Sequence, residues 1–288
     1  MARRLTILCT LAAFVVLRLP AQAPLTARQV IDRIQKNVGV PWRADTVDTF
    51  KAGNPDTPVT GIAVTMMATL DVLERAAASQ QNLIITHEPT FYNHLDQTSN
   101  LEQQHDAVLA AKQAFIAQHH LVVWRFHDHW HARNPDGILL GMTHALGWEK
   151  FQNPNIPYLF TLPETSLNDL SASIKAKLHI SVLRVVGDPR LQITNAAFLP
   201  GAAGSARQIQ ALERDDVQAL LIGETPEWET VEYVADAASE NRPKALILLG
   251  HIPSEQAGMQ ECARWLKTFI SEVPVEFVPA AEPFWLPR

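Results

Sequence analysis

The sequence predicts an α/β protein with two α/β lobes, mixed and largely parallel sheets, and a metal site at the ends of its strands. Short apolar runs alternate with segments of helical periodicity, and the links between them are short, which is typical of βαβ units. Three of the apolar runs end on a histidine, namely His87, His127 and His251. Because parallel strands place their carboxyl ends at one edge of a sheet, where ligands bind, we expect these imidazoles to meet there.

Length and composition indicate a globular protein. The chain has 288 residues, of which 47% are hydrophobic and 19% charged, and its formal net charge is -6. This length suffices for two domains of ordinary size or one large one. No long basic run is present, so we predict no nucleic-acid partner.

The N-terminus has the pattern of a secretory signal peptide, which we assign to residues 1–23. Arg3 and Arg4 precede an apolar run over residues 5–17, and Ala21 and Ala23 are the small residues of a cleavage site. The run is short for a membrane span, which needs about 20 residues. We therefore expect export to the periplasm or the medium, without membrane attachment after cleavage. An uncleaved amphipathic tail or a short membrane anchor is the alternative.

The first lobe is predicted to span residues 24–155. Its first helix should begin near Thr26, because apolar residues recur at helical spacing at positions 30, 31, 34 and 38. The elements expected after this helix are a strand over 59–67, a helix over 71–79, a strand ending at His87, a helix over 106–119 and a strand ending at His127.

The second lobe is predicted to span residues 156–288, after a linker of proline and asparagine at 153–157. We expect the last helix to begin at Ser254, since serine is a favoured N-cap. The segment from about residue 245 could instead return to the first lobe. The elements predicted before the last helix are strands over 158–162, 181–186, 194–199, 217–222 and 245–249 and helices over 166–178, 205–214 and 230–239.

Imidazole and carboxylate groups follow two strand ends of the first lobe. His87 and Glu88 come directly after one strand, and His127 and His131 come after the next. An extended chain would place His127, His129 and His131 on one face, whereas a turn would bring His127 and His131 together. Taken singly, each pair is also explained by a strand-end histidine beside an exposed polar residue.

A third group follows the strand at 245–249. Gly250 permits an unusual backbone turn before His251, and Glu255 lies where a helix dipole favours a carboxylate. Glu224 ends another strand and is a candidate catalytic proton acceptor. Divalent zinc, manganese or iron accepts such a mixture of groups. The predicted metal ligands are His87, Glu88, His127, His131, His251 and Glu255, of which His127 could instead orient a neighbouring ligand.

Residues 61–65, 69–72 and 83–89 resemble the opening of the NIF-three-like family, also labelled GTP cyclohydrolase 1 type 2-like, and the similarity continues through 127–137 and 250–255. The resemblance implies a dinuclear metal centre between two α/β lobes, and a homo-oligomer that is usually a ring-shaped hexamer. The family pattern has a second histidine where this chain has Glu88, and an aspartate where it has His131. Two ligand types are thus exchanged between positions.

These features together predict a metal-dependent hydrolase with two divalent ions and a metal-bound hydroxide as the nucleophile. The expected substrate is a small molecule: a nucleotide, another phosphate ester, or a cyclic amide or amidine. The alternative is a non-catalytic metal-binding scaffold or interaction protein of the same family. A scaffold has no need for a base such as Glu224 beside the ions.

Overall fold

A computed structural model describes residues 24–287. The predicted signal peptide at 1–23 lies outside these residues. The helices are α1 (Ala27–Asn37), α2 (Leu70–Ala78), α3 (Ser99–Gln103), α4 (Ala107–Gln118), α5 (Asp128–Ala132), α6 (Gly137–Leu146), α7 (Leu167–Leu178), α8 (Ser205–Glu213), α9 (Glu232–Ser239) and α10 (His251–Leu266). The strands are β1 (Phe50–Ala52), β2 (Ile62–Thr65), β3 (Leu83–Thr86), β4 (Val122–Arg125), β5 (Leu159–Ser166), β6 (Arg184–Val186), β7 (Gln192–Leu199), β8 (Ala219–Ile222), β9 (Ala245–Leu248) and β10 (Val275–Phe277).

The strands form two five-stranded sheets, with the orders β1-β4-β3-β2-β10 and β5-β7-β8-β9-β6. In the first sheet β10, β2, β3 and β4 are parallel, and only the edge strand β1 is antiparallel. In the second, β7, β8 and β9 are parallel between antiparallel edge strands. The predicted fold class, with two mixed and largely parallel sheets, is confirmed.

The central strands carry side chains that are buried on both faces. Every residue of β2, β3, β4, β8 and β9 is buried. Continuous apolar runs of this kind are expected where helices cover both faces of a parallel sheet. The polar exceptions are Thr65, Thr86 and Arg125, which end β2, β3 and β4, and Arg125 lies next to the candidate site.

The chain crosses between the two sheets immediately after β9. This strand belongs to the second sheet, whereas α10 packs on α6 and β2, and β10 pairs with β2 in the first sheet. Gly141 and Gly258 let α6 and α10 approach closely, because a Cβ atom on either glycine would overlap the opposite helix. His251 and Glu255 lie at this crossing, and the exact domain boundaries stay predictions.

The N-cap of the last helix lies four residues earlier than predicted. Gly250, with a φ of 89°, is its N-cap, and Ser254 lies inside the helix. The Ser254 hydroxyl is buried, accepts a hydrogen bond from the Gly201 amide (2.9 Å) and donates one to the His251 carbonyl (2.7 Å). A residue with capping chemistry is therefore used to join two segments of chain.

Sequence analysis did not predict α3, α5, α6, β1 or β10. Helix α6 contains two glycines, which lower helix propensity, and β1 and β10 have only three residues each. No helix within residues 24–287 is long and apolar enough to cross a lipid bilayer.

Candidate metal centre

The strand ends bring the six predicted ligands together. His87 follows β3, His127 follows β4, and α5 turns the chain so that His131 comes back beside His127, with 4.9 Å between their ring centroids. His251 and Glu255 reach the same place from the start of α10. Ligand atoms within 4.8 Å of one another occur in two groups that share one histidine, namely His87 with His127 and His131, and His87 with Glu88 and Glu255.

All four histidines use Nδ1 for an oriented contact with an oxygen acceptor and direct Nε2 toward the cluster. Such contacts fix the ring orientation and the tautomer of metal-binding histidines. The Nδ1 contacts are His87 with the Phe126 carbonyl at 3.0 Å, His127 with Asp128 at 3.0 Å, His131 with Asp136 at 2.9 Å and His251 with Glu224 at 3.4 Å.

The His87 and His131 rings face each other through Nε2, with 3.2 Å between the two atoms. A carbonyl oxygen can only accept, so the Nδ1 of His87 carries the hydrogen and the Nε2 of the neutral ring has a lone pair. The Asp136 carboxylate likewise accepts a hydrogen bond from Nδ1 of His131, so the Nε2 of a neutral His131 ring also has a lone pair. Two lone pairs at this separation repel each other unless a proton or a cation lies between them.

The two glutamates complete the cluster. Glu88 Oε1 lies 3.3 Å from His251 Nε2 and 3.6 Å from His127 Nε2. Glu255 Oε2 lies 3.3 Å from His251 Nε2 and 3.7 Å from His87 Nε2. Both His251 Nε2 and Glu255 Oε2 are buried and form no hydrogen bond with the described residues. Buried polar atoms without partners cost free energy, and a divalent cation would satisfy them, so these residues fit a metal.

Burial and neighbouring charges set the ionisation of the cluster. Burial, together with the charges of His127 and His131, holds the pKa of His87 well below its usual range, so this ring is neutral as a metal ligand must be. Burial alone would raise the pKa of Glu88. The close contact with His251 and the nearby cationic groups outweigh burial and lower this pKa to about 2. Glu88 is therefore an anion.

His251 and His131, in contrast to His87, have raised pKa values. Burial would lower the pKa of His251, but its contacts with Glu224, Glu255 and Glu88 raise the pKa to about 12. Burial would also lower the pKa of His131, but the hydrogen bond to Asp136 outweighs burial and raises this pKa. Without a metal these protons offset the charge of the carboxylates. A bound cation would take over that role.

Arg125 is a member of the site that sequence analysis missed. Its guanidinium is fully buried and donates hydrogen bonds to the carbonyls of His87 and His94 and to Glu88 Oε2, the last at 3.3 Å. It therefore holds the Glu88 carboxylate and the loop that follows β3. The available signal was a lone arginine in the apolar run that forms β4.

His129 lies outside the cluster and has a structural role. Its Nδ1 lies 2.6 Å from Asp48 Oδ2, its Nε2 accepts a hydrogen bond from the Arg43 amide (2.9 Å), and its ring stacks on Trp42. The turned form of the chain, rather than the extended one, is therefore correct. Glu224 lies behind His251 and is half exposed, with its carboxylate directed to the ring.

The cluster forms the floor of a pocket of about 650 Å³. Glu88, His131 and Glu255 line it from one side, and Tyr158 and Phe198 line it from the second sheet. This volume lies within the range of small-molecule binding sites.

Fold and site together define the protein as a two-lobed α/β protein with a buried His/Glu cluster that could hold a metal ion. The Duf34/NIF3 (NGG1p interacting factor 3) family model matches residues 26–283. The chain belongs to this family, which confirms the resemblance found in the sequence.

Two curated relatives are named GTP cyclohydrolase 1 type 2 homolog. The protein from Chlamydia trachomatis is 21% identical over 76% of this chain and 83% of its own length. The protein from Chlamydia pneumoniae is 25% identical over 82% of this chain and 90% of its own length. Among solved structures, Staphylococcus aureus hypothetical protein SA1388 superposes with a TM-score of 0.71 at 17% identity, covering 92% of this chain and 100% of that chain. The structural likeness concerns the fold.

Proposed function

We propose that this protein is a metal-dependent hydrolase whose divalent ions are held by His87, Glu88, His127, His131, His251 and Glu255. The 3.2 Å separation of the His87 and His131 Nε2 atoms carries the proposal, because both rings contact an oxygen acceptor through Nδ1 and a divalent cation could take the place of the proton between the two Nε2 atoms. The buried atoms without partners on His251 and Glu255 support it. Two ions are proposed because the family resemblance implies a dinuclear centre; His87, whose Nδ1 is bonded to the Phe126 carbonyl, has one free Nε2 and can bind only one of them.

Bound zinc, manganese or iron would supply Lewis acidity, which activates water and neutralises the negative charge that develops on the substrate. The chain contributes orientation and proton transfer. Asp128 and Asp136 orient His127 and His131, and Arg125 fixes Glu88. Glu224 is the proposed proton acceptor: its hydrogen bond to His251 lowers the pKa of its carboxyl, so the group is ionised at neutral pH.

The proposed substrate is a nucleotide, another phosphate ester, or a cyclic amide or amidine. Small molecules of these classes fit a pocket of about 650 Å³. The name of the chlamydial relatives makes the purine ring of GTP a member of this set. A panel of substrates must therefore include GTP beside simple phosphate esters.

The test combines metal analysis with turnover. We expect the purified protein to hold two divalent ions per chain and to hydrolyse at least one class of substrate in the panel. His87→Ala and His251→Ala should lose metal and activity while keeping the circular dichroism spectrum of the fold. His144→Ala is the matched control, because His144 lies outside the cluster on α6, near Glu261.

Two outcomes would contradict the hydrolase proposal. A protein that retains none of zinc, manganese, iron or nickel after reconstitution has no metal centre. Full metal occupancy without turnover on any member of the panel would favour the metal-binding scaffold instead.

We further propose that the protein is exported and forms a homo-oligomer such as a hexamer. The n-region, apolar run and small residues of 1–23 support export, and family membership supports assembly. N-terminal sequencing of the mature protein and light scattering after gel filtration test the two statements. An intact Met1 or a monomer at all concentrations would refute the respective statement.

A further inference from the structure

Among the residues that the structure describes, one with a permanent positive charge, Arg207, lines the pocket above the cluster. The acidic residues that line it are Glu88, Asp136 and Glu255, each of which lies within 4 Å of a histidine of the cluster. A guanidinium opposite a metal cluster is suited to a substrate that carries negative charge.

Arg207 has no acidic partner among residues 24–287. Among the arginines of residues 24–287, only Arg133 and Arg207 form no salt bridge. The Arg133 guanidinium stacks on the rings of Trp130 and Trp265 instead. Arg207 also donates no hydrogen bond to a described residue, so its donors remain available to a ligand.

The backbone beside Arg207 has free donors as well. Arg207 lies in the first turn of α8, whose N-cap Gly204 provides no side-chain cap. Ala202 and Ala203, in the loop before the helix, line the same pocket. The amides of an uncapped helix N-terminus favour an anion. Guanidinium and amides together offer more donors than one carboxylate needs, which favours phosphate with its three terminal oxygens.

A second observation links this anion position to the cluster. Glu255 lines the same pocket, its side chain is 4% exposed, and its Oε2 has no hydrogen-bond partner. Gly201, at the start of the loop to α8, packs directly against the Glu255 carboxylate. A phosphate held by Arg207 would therefore lie beside the metal ions that Glu255 is proposed to bind.

We infer that Arg207 binds a phosphate group of the substrate and so makes the enzyme selective for phosphorylated small molecules. This inference rests on the proposed hydrolase function. Arg207 is a specificity-determining residue, and the partly exposed Tyr158 side chain offers apolar surface for the remainder of the substrate.

The test uses Arg207→Ala and Arg207→Lys in the full mature protein. Arg214→Ala is the matched control, because Arg214 lies at the other end of α8 and is paired with Asp216. Binding of inorganic phosphate is measured by calorimetry with and without metal. The kcat and KM values are measured on p-nitrophenyl phosphate and on the uncharged p-nitrophenyl acetate.

We expect Arg207→Ala to weaken phosphate binding about tenfold or more and to raise KM for the phosphate ester, with kcat within about threefold of wild type. Arg207→Lys should recover part of the affinity, and Arg214→Ala should match wild type. Unchanged phosphate affinity in Arg207→Ala, or wild-type protein that binds no phosphate, would overturn the inference. Phosphate binding that depends on Arg207 in a protein without turnover would refute the hydrolase function alone.

Discussion

Asp48 and His129 form a fully buried pair, with 2.6 Å between Asp48 Oδ2 and His129 Nδ1. The same carboxylate accepts hydrogen bonds from the backbone amides of His127 (2.6 Å), Asp128 (2.9 Å) and His129 (2.9 Å). Asp48 thus caps the short helix α5. The turn that brings His131 into the cluster is held by a residue far away in the sequence.

We predict that Asp48→Asn disrupts both the fold and the cluster. The substitution keeps the size of the side chain but directs an amide NH₂ at groups that need an acceptor. Breaking buried charge-assisted bonds should cost at least about 2 kcal/mol in the free energy of unfolding. Metal affinity should fall at least about tenfold. Urea titration and metal analysis measure the two effects.

Asp45→Asn, at an exposed position nearby, is the control and should leave stability and metal affinity unchanged. A stable, fully metallated Asp48→Asn protein would show that α5 does not need Asp48 as a cap.

A glycine substitution tests whether the loop before α8 shapes the metal centre. Gly201 and Gly204 both have a positive φ, 63° and 85°. A Cβ atom on Gly201 would overlap the Glu255 carboxylate, whereas one on Gly204 would meet nothing within 4 Å. Backbone strain is therefore common to Gly201→Ala and Gly204→Ala, and displacement of Glu255 is specific to the first.

We expect Gly201→Ala to lose most of its bound metal, and Gly204→Ala to keep it with a similar loss of stability of about 1 kcal/mol. Inductively coupled plasma mass spectrometry and thermal unfolding provide the comparison. Equal metal content in the two variants would mean that Glu255 can move aside without leaving the ion, which would argue against a rigid ligand at this position.

Asp136 has two roles that a substitution can separate, namely capping of α6 and orientation of the His131 ring. Its Oδ1 accepts hydrogen bonds from Ile138 and Leu139 at the start of α6, and its Oδ2 accepts one from His131. Asp136→Asn can keep the cap through the amide oxygen, but its NH₂ group cannot accept from His131. We expect metal affinity to fall by about 10- to 100-fold with little change in the melting temperature. Asp106→Asn, at the purely capping position of α4, should not affect metal affinity. A similar loss of metal affinity in both variants would mean that the effect comes from helix capping and not from the orientation of His131.

The ligands were predictable because each follows an apolar run, and strand ends of a parallel sheet share one edge. The direction of the chain after His127 could not be predicted, because an extended segment and a turn fit the same residues. Asp48 decides between them, and nothing near it in the sequence marks it as a partner of α5. Arg125 and Asp136 likewise depend on contacts that only the folded chain defines. The helix start at His251 was missed because Ser254 bonds to Gly201 rather than to its own helix end.

Lys112 makes the stability of the first lobe depend on pH. Its side chain is buried, and its Nζ donates a hydrogen bond to the Thr90 carbonyl at 2.6 Å. Burial lowers the pKa of Lys112 to about 8, although the charge of Asp96 opposes this shift. The unfolded chain, with an ordinary lysine pKa of about 10.4, binds more protons than the folded chain between these two values. The free energy of unfolding should therefore rise with pH over this window, by about 3 kcal/mol in total.

The free energy of unfolding of wild type and Lys112→Met, measured by urea titration from pH 7 to pH 11, isolates this contribution. Other titrating groups are common to both proteins and cancel in the difference. The stability of wild type relative to Lys112→Met should be lowest below pH 8, rise with pH and level off above about pH 10.4. A difference that stays constant with pH would mean that Lys112 has the same pKa in the folded and unfolded chain, so that its ammonium is solvated despite its burial.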